Sequence, residues 1–231
     1  MKKIIVASLL AIFVFASCSK DEDSSEEILV LPIKIIEEGD ISTLNYSGNK
    51  LTNVLYTNGK SVYTYNGDLI IKIDEYDSSG TLGGTHSFEY NSSNNLIKWN
   101  SVEKDNSSDW ISTSTYVYNA DGTITHNSST VHGTNTYSDS NIITLINGNI
   151  SKIRGINYSY DGKNNAFKNI TGYSKLLDFD ERTTNRNNII TTNNSTINYQ
   201  YNTDNYPTKS AETQVINGFS SIYINEYFYN K

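Results

Sequence analysis

The sequence predicts an all-β protein: an antiparallel meander of successive β-hairpins forming a twisted, partly curled open sheet, with one irregular or short helical insertion. Three observations lead there. The 231 residues include 18 Tyr and only 2 Pro, and Tyr and Thr favour strands while Asn and Gly favour turns. Long stretches of Ala, Leu, Glu and Lys at helical spacing are missing. A short pattern also recurs, an aromatic, any residue, a tyrosine and then Asn or Asp. Its copies include Phe88-Glu89-Tyr90-Asn91, Tyr116-Val117-Tyr118-Asn119, Tyr158-Ser159-Tyr160-Asp161, Tyr199-Gln200-Tyr201-Asn202 and Tyr227-Phe228-Tyr229-Asn230.

Side chains two apart on a strand point the same way, so each copy puts two aromatic rings on one face. A turn and a return strand follow. In VYTYNGDLIIKI (62–73) the turn signal is Asn66-Gly67, a pair suited to the positive φ of a two-residue hairpin loop. If that pair is the whole loop, Tyr65 faces Asp68 and Tyr63 faces Ile70, which leaves Leu69, Ile71 and Ile73 on the other face. The copy at Tyr118 likewise separates its tyrosines from the aliphatic Val117. One face then carries tyrosines with wet hydroxyls and the other carries aliphatics, so a curled sheet fits better than a flat one.

The loops also resemble YD repeats of Rhs-type proteins, which run roughly Tyr-Asp-x-x-Gly-x-Leu. Tyr76-Asp77-Ser78-Ser79-Gly80-Thr81-Leu82 matches throughout; Tyr118 to Ile124 and Tyr90 to Leu96 match with substitutions. The resemblance spans most of 44–231 and implies strand–turn–strand geometry. It does not imply the large toxin-enclosing shell, for which this chain is far too short. Tyr-rich repeat lipoproteins of unknown function from Bacteroidota are similar, and in such arrays each hairpin buries its face against its neighbours.

One segment breaks the rhythm, Asp161 to Asn188. Tyr173, Leu176 and Leu177 have helix-like spacing, and Phe167 and Phe179 add apolar bulk. It reads as a short helix or ordered loop capping a sheet end, or as a binding loop. Because an open sheet exposes edges that invite aggregation, the segment is expected to shield an edge or end.

The N-terminus has Lys2 and Lys3, an apolar run Ile4 to Phe15, and small residues Ala16-Ser17. This is the order of a secretory signal peptide over residues 1–17, and the run is shorter than the roughly 20 residues of a membrane helix. The small pair precedes Cys18, the only cysteine, which rules out an internal disulfide. Here the chain resembles the lipobox of bacterial lipoproteins, with Phe15 in place of the usual aliphatic residue. The resemblance implies lipidation of Cys18; the alternative is an ordinary signal peptide with an incidental cysteine. Residues 18–27 read as an acidic tether, and Ser19, Lys20, Asp21, Glu22 and Asp23 resemble the surface-export signal of Bacteroidota lipoproteins. These features imply a protein lipid-anchored to the outer membrane and facing the cell surface, with a single β-repeat domain over 28–231.

The chain carries a formal charge of −7, which gives no electrostatic reason to approach nucleic acid or anionic lipid. No G-x-S-x-G elbow, H-E-x-x-H or phosphate-binding glycine loop is present. His126 and His132 share a strand face if that strand is unbroken, yet a metal site needs further ligands, so no metal or cofactor is expected. Asp105, Asp109, Asp139, Asp178, Asp180 and Glu181 include the acids a glycosidase pair would need, but Asp is equally a turn former. Trp99 and Trp110 are the candidate ligand-binding residues, since indoles anchor interfaces; the alternative is a place in the core. The expected function is a non-catalytic binding or interaction module for a glycan or protein. A structural or assembly accessory of the outer membrane is the alternative, and a hydrolase a third reading.

Overall fold

The structure is a computed structural model that describes residues 29–179 and 184–231. The signal segment, Cys18, the export residues Ser19 to Asp23, and the acids Asp180 and Glu181 lie outside the described residues. Seventeen strands succeed one another in chain order among the described residues. The first six are β1 Pro32–Glu37, β2 Asp40–Ser47, β3 Lys50–Tyr56, β4 Gly59–Asn66, β5 Leu69–Asp77 and β6 Leu82–Tyr90. Next come β7 Leu96–Glu103, β8 Trp110–Tyr118, β9 Ile124–His132, β10 Asn135–Ile146 and β11 Asn149–Ile153. Two short strands, β12 Ile156–Asn157 and β13 Ser159–Tyr160, precede the insertion. β14 Ile189–Thr191, β15 Ser195–Tyr201, β16 Pro207–Ile216 and β17 Phe219–Tyr229 complete the set.

Neighbours in sequence pair antiparallel, as a meander requires, with one interruption between β12 and β13. There the Tyr158 N–H donates to the Ser151 carbonyl at 3.0 Å. The expected open sheet is corrected at its ends: β17 pairs with β1 from Tyr229↔Pro32 to Asn225↔Glu37, making a nearly closed barrel. Closure removes both edges that an open sheet would have to protect and gives the aromatic face an interior to fill.

The register differs from the simple hairpin expectation, and the difference explains the repeats. In the β4–β5 hairpin Asn66 pairs with Leu69, so the loop is Gly67-Asp68, with Gly67 at φ +56°. Tyr65 then pairs with Ile70, but Tyr63 pairs with Ile73 because the register shifts between them. An extra residue sits near the start of β5, and the same shift falls near the start of β1, β3, β7, β11, β14 and β16. A bulge inserts one residue and re-aims the side chains beyond it. Residues three apart therefore share the inner face: Leu51 with Val54, Ile70 with Ile73 and Ile150 with Ile153 are all buried. The aliphatics that alternation assigns to the outside line the inside together with the tyrosines.

A bulge leaves ladder groups unpaired, and a buried carbonyl without a partner is costly. A nearby tyrosine supplies the partner, the second of the motif at Tyr90, Tyr118, Tyr160 and Tyr229 and the first at Tyr199. Tyr46 donates its hydroxyl to the Pro32 carbonyl at 2.7 Å, Tyr90 to Ile70 at 2.7 Å and Tyr118 to Leu96 at 3.1 Å. Tyr160 donates to Ile150, Tyr199 to Ile189 at 3.0 Å and Tyr229 to Pro207 at 2.7 Å. Tyr46, for example, pairs with Leu51 on β3 while reaching back to β1, so one side chain ties three strands. The Asn or Asp after it builds the turn. The Oδ1 atoms of Asp77, Asn91 and Asn202 each accept two backbone N–H groups of their own loops.

The insertion closes the tyrosine-braced end of the barrel. It is pinched at its base, where the Asp161 N–H donates to the Asn188 carbonyl at 3.1 Å and the Asn188 N–H to Asp161 Oδ1 at 3.2 Å. It clips onto the surrounding turns: the Thr171 N–H reaches the Asn49 carbonyl, the Asn164 N–H the Asn205 carbonyl, and Asn149 donates its side-chain amide to Asn187 Oδ1 while accepting the Asn187 backbone N–H. A 3₁₀ turn at Tyr173–Lys175 and the buried Ile170 and Leu176 drop into the core. Gly172, at φ +76°, passes so close to the wall that a Cβ would lie 2.6 Å from the Asp68 carbonyl oxygen. The segment Asp161 to Asn188 is expected to cap or shield the end of an open sheet; with β1 and β17 paired there is no such open edge, and its described residues bond to turns of the barrel instead.

The outer face mixes polar rows with exposed aliphatics, among them Ile111, Val131, Ile142, Ile222 and Ile224. Register partners trace one outward row across six strands, Lys72–Ser87–Asn100–Thr113–Ser129–Ser138, and the next runs Glu89–Lys98–Thr115–Asn127–Ser140.

If the tyrosine hydroxyls satisfy bulge carbonyls, Tyr90→Phe should lower unfolding free energy by about 1–2 kcal/mol, since a buried carbonyl loses its partner. Denaturant titration of the two proteins measures this. Equal stabilities would mean that the Ile70 carbonyl needs no such donor.

Candidate functional site

Above the plug the interior divides in two. On the β5–β11 side an aromatic cluster packs against the insertion. Phe179 of the insertion meets His86, Phe88 and Trp99 edge-on, with ring centroids 5.2–5.4 Å apart. The Trp99 Nε1–H donates to His86 Nδ1 at 3.3 Å, and His86 Nε2 lies 3.5 Å from Glu75 Oε1. That hydrogen bond holds the Glu75 carboxyl below the usual carboxylate range. Deeper in, Asp178 of the insertion is fully buried and receives both terminal nitrogens of Arg154, at 2.6 and 3.2 Å. A fork of this kind gives geometric specificity as well as attraction. His126 lies stacked on Tyr116, with Nε2 3.1 Å from Ser114 Oγ and Nδ1 3.8 Å from Asp178. Burial and then the Arg154 charge push His126 below its ordinary value, so it is neutral in the fold.

On the other side, between β1–β4 and β15–β17, the described residues leave part of the interior open. A cavity of about 180 Å³ remains, floored by Asn165, Ala166 and Phe167 of the insertion together with Tyr173. Tyr63, Tyr199 and Tyr227 stand in its walls, and Glu37, Ser42 and Tyr56 lie toward the unplugged end. One inward row of register partners crosses it as Tyr199–Ser210–Asn225–Glu37. Glu212, two residues beyond Ser210 on the same face, also lines it. Ser210, Glu212 and Asn225 are buried, while Tyr56 is 45 % exposed and marks the mouth. Tyr63 and Tyr173 lie 6.4 Å apart between ring centroids, and Tyr173 stacks on Phe167 at 5.5 Å. Burial pushes the Tyr63 hydroxyl well above its ordinary pKa, so it is a neutral donor. The cavity is thus aromatic, carries two carboxylates, and has no Lys or Arg in its lining among the described residues.

The structure separates the sequence candidates. Trp99 is a half-buried core residue in the packed side, and Trp110 stacks face to face on His132, centroids 3.9 Å apart, near Asp105; neither lines the cavity. His126 and His132 share the inner face of β9 but lie at opposite ends of its register. Among the described residues no three His, Cys, Asp or Glu side chains form a metal-sized group. Asp109 pairs with Lys104 at 2.6 Å, and Asp139 accepts from its neighbours Ser140 and Asn141. Sequence reasoning missed Glu37 and Glu212. Only the register after the bulge at Pro207 shows that Ser210 and Glu212 face inward.

No family model matches the chain, and neither does any curated protein. Solved structures do match over most of its length. A porin-like protein from Bacteroides vulgatus ATCC 8482 is 14% identical, with 87% of this chain and 99% of that one covered at a TM-score of 0.56. A porin-like protein from Bacteroides uniformis ATCC 8492 is 11% identical, with 85% and 96% covered at a TM-score of 0.41. The first likeness shows a shared antiparallel barrel-like fold.

Because His126 is held neutral in the fold, the unfolded chain binds the extra proton as pH falls below about 6.5, its ordinary pKa. Stability should therefore be full above that value and decline below it. His126→Gln should shrink the loss between pH 7.5 and pH 5, read from denaturant midpoints; an unchanged pH dependence would remove His126 as its source.

Proposed function

We propose that this chain is a non-catalytic binding module, anchored to the outer membrane by lipid on Cys18 and displayed at the cell surface, which takes the end of a glycan or a peptide into its interior cavity. The observation that carries the reading is the cavity itself. A tyrosine-lined space left open by the described residues is a cost to stability, since a void forfeits contacts, and concave aromatic sites with a few converging polar groups are where ligands bind. Two further features support it. The outward rows across β5–β10 that run Lys72–Ser87–Asn100–Thr113–Ser129–Ser138 and Glu89–Lys98–Thr115–Asn127–Ser140 are polar, which suits a barrel held by a tether. The Leu31 N–H donates to Asn230 Oδ1 beside the plugged end, away from the mouth.

A second reading has one observation in its favour. Glu37 and Glu212 line the same cavity, and glycoside hydrolysis needs two carboxylates. They stand two strands apart around the wall and are offset along it, which puts their Cα atoms on the order of 12 Å apart. Release of reducing sugar from a bound oligosaccharide would favour this reading over binding alone.

Two outcomes are expected. Protease treatment of intact cells should remove the protein, and Cys18→Ala should release it from the membrane fraction; protection from protease with the anchor intact would refute surface display. In an immobilised glycan and peptide array, Tyr56→Ala at the mouth should weaken capture at least tenfold while Trp110→Ala leaves it unchanged. The reverse pattern would move the site to the Trp110–His132 stack.

A further inference from the structure

We infer that the outer edge of β10 is a strand-addition site for an extended peptide that carries Lys or Arg. The site uses different residues from the cavity and does not depend on it. β10 pairs with β9 from Asn135↔His132 to Ile143↔Ile124, whereas β11 joins it only at Thr144, Leu145 and Ile146. From Asn135 to Ile143, about 30 Å of strand, the other edge has no neighbouring strand among the described residues. The hairpin fixes which backbone groups lie on that edge. His132 and Asn135 flank the two-residue loop Gly133-Thr134 and so exchange both hydrogen bonds. Asn135, Tyr137, Asp139 and Asn141 therefore turn their backbone groups to β9, and Thr136, Ser138, Ser140 and Ile142 turn theirs to the open side. Ser140 agrees with this, because its N–H donates to its neighbour Asp139 Oδ1 at 2.9 Å. Donors and acceptors at strand spacing are matched by another extended backbone, with main-chain bonds giving affinity and alternate side chains giving specificity.

Charge then chooses the partner. On the inner face of this edge Asp139 stands two residues from Tyr137, which is 56% exposed. A side chain of an added strand that points the same way lies opposite one of them and within reach of the other. A carboxylate beside an aromatic face favours an ammonium or guanidinium. Asp139 already has partners, the Ser140 N–H and the Asn141 side-chain amide, and strand addition exchanges the first of them. The incoming carbonyl takes the Ser140 N–H, and the incoming cation takes the Oδ1 atom so released. Until then the carboxylate covers the edge, as charged side chains do where a strand must not pair indiscriminately. The same group disfavours a second copy, since two-fold pairing of β10 would bring two Asp139 side chains together on chains that each carry −7. On the outer face Ile142 is 51% exposed and suits an aliphatic residue at that end of the partner.

The test is fluorescence polarisation of the full chain at pH 7 with labelled peptides of about seven residues in which Lys alternates with Thr or Val, against a matched set with Glu in place of Lys. The Lys peptide should bind at least tenfold tighter than the Glu peptide. Ser138→Pro removes an edge N–H and sets a ring in the path of the partner, yet spares the ladder to β9. It should weaken the Lys peptide at least tenfold with the melting temperature unchanged. Asp139→Asn should weaken it at least fivefold and flatten its dependence on salt. Should Ser138→Pro fail to fold, hydrogen exchange of the parent gives a second reading, in which the Thr136, Ser138 and Ile142 amides gain protection when the Lys peptide is added. If the Lys peptide does not bind, or binds Ser138→Pro as it binds the parent, or leaves those amides unprotected, the strand-addition site falls. If Lys and Glu peptides bind equally, or Asp139→Asn changes nothing, the basic partner falls. If the parent sediments as a dimer that Ser138→Pro dissociates, the edge joins two copies and the peptide assignment is overturned.

Discussion

The fold depends on one repeated arrangement, a β-bulge at the start of a return strand and a tyrosine hydroxyl that satisfies a carbonyl beside it. Without the bulge, the residues after each turn would alternate, and half the aliphatics would face water. With it, Pro32, Leu51, Ile70, Leu96, Ile150 and Pro207 form a buried collar at one end of the barrel. Each tyrosine hydrogen bond is worth only about 1 kcal/mol net. Six of them around a ring, together with the collar, fix register at many points. Register is where a long meander is most exposed to error, because a one-residue slip inverts every face.

Closure comes from the same geometry. Seventeen strands with an apolar inner face must either stack against a second layer or meet end to end, and β1 and β17 meet. The barrel is wide enough that its wall side chains do not fill it, so the insertion supplies the missing core. Its hydrogen bonds to turn carbonyls fasten it to the braced end, and Ile170, Leu176 and Phe179 complete the packing of the β5–β11 side. The Arg154–Asp178 pair ties it further to the wall. Arg154 is exposed and only Asp178 is buried, so the pair fixes the depth at which Asp178 and Phe179 sit.

The candidate site is the remainder of that filling. The insertion packs one side of the interior and only floors the other, which leaves the aromatic cavity open away from the plug. Its contents are then a matter of register: Tyr199, Ser210, Asn225 and Glu37 come from four strands, the last of them far from the others in sequence, and meet because the ladder between β1 and β17 closes. A binding surface of this origin leaves no compact motif along the chain.

The sequence by itself determined the strands, the turns and the paired aromatics. Strand propensity, side-chain alternation and the preference of Asn, Asp and Gly for turns are local, and Tyr116-x-Tyr118-Asn119 or Tyr227-x-Tyr229-Asn230 carries all three. It also marked Asp161 to Asn188 as the segment where the rhythm fails, and the break is where the chain leaves the wall. Tertiary structure decided the rest. Ile70 and Ile73 share a face because of a bulge whose driving force is burial against distant residues, and nothing within PTKSAETQV (207–215) distinguishes an inward Glu212 from a solvated one. Trp99 lies in the core because Phe179, eighty residues on, arrives to cover it. Closure, cavity and plug are long-range events, and a pattern confined to four residues cannot encode which far strand will stand opposite.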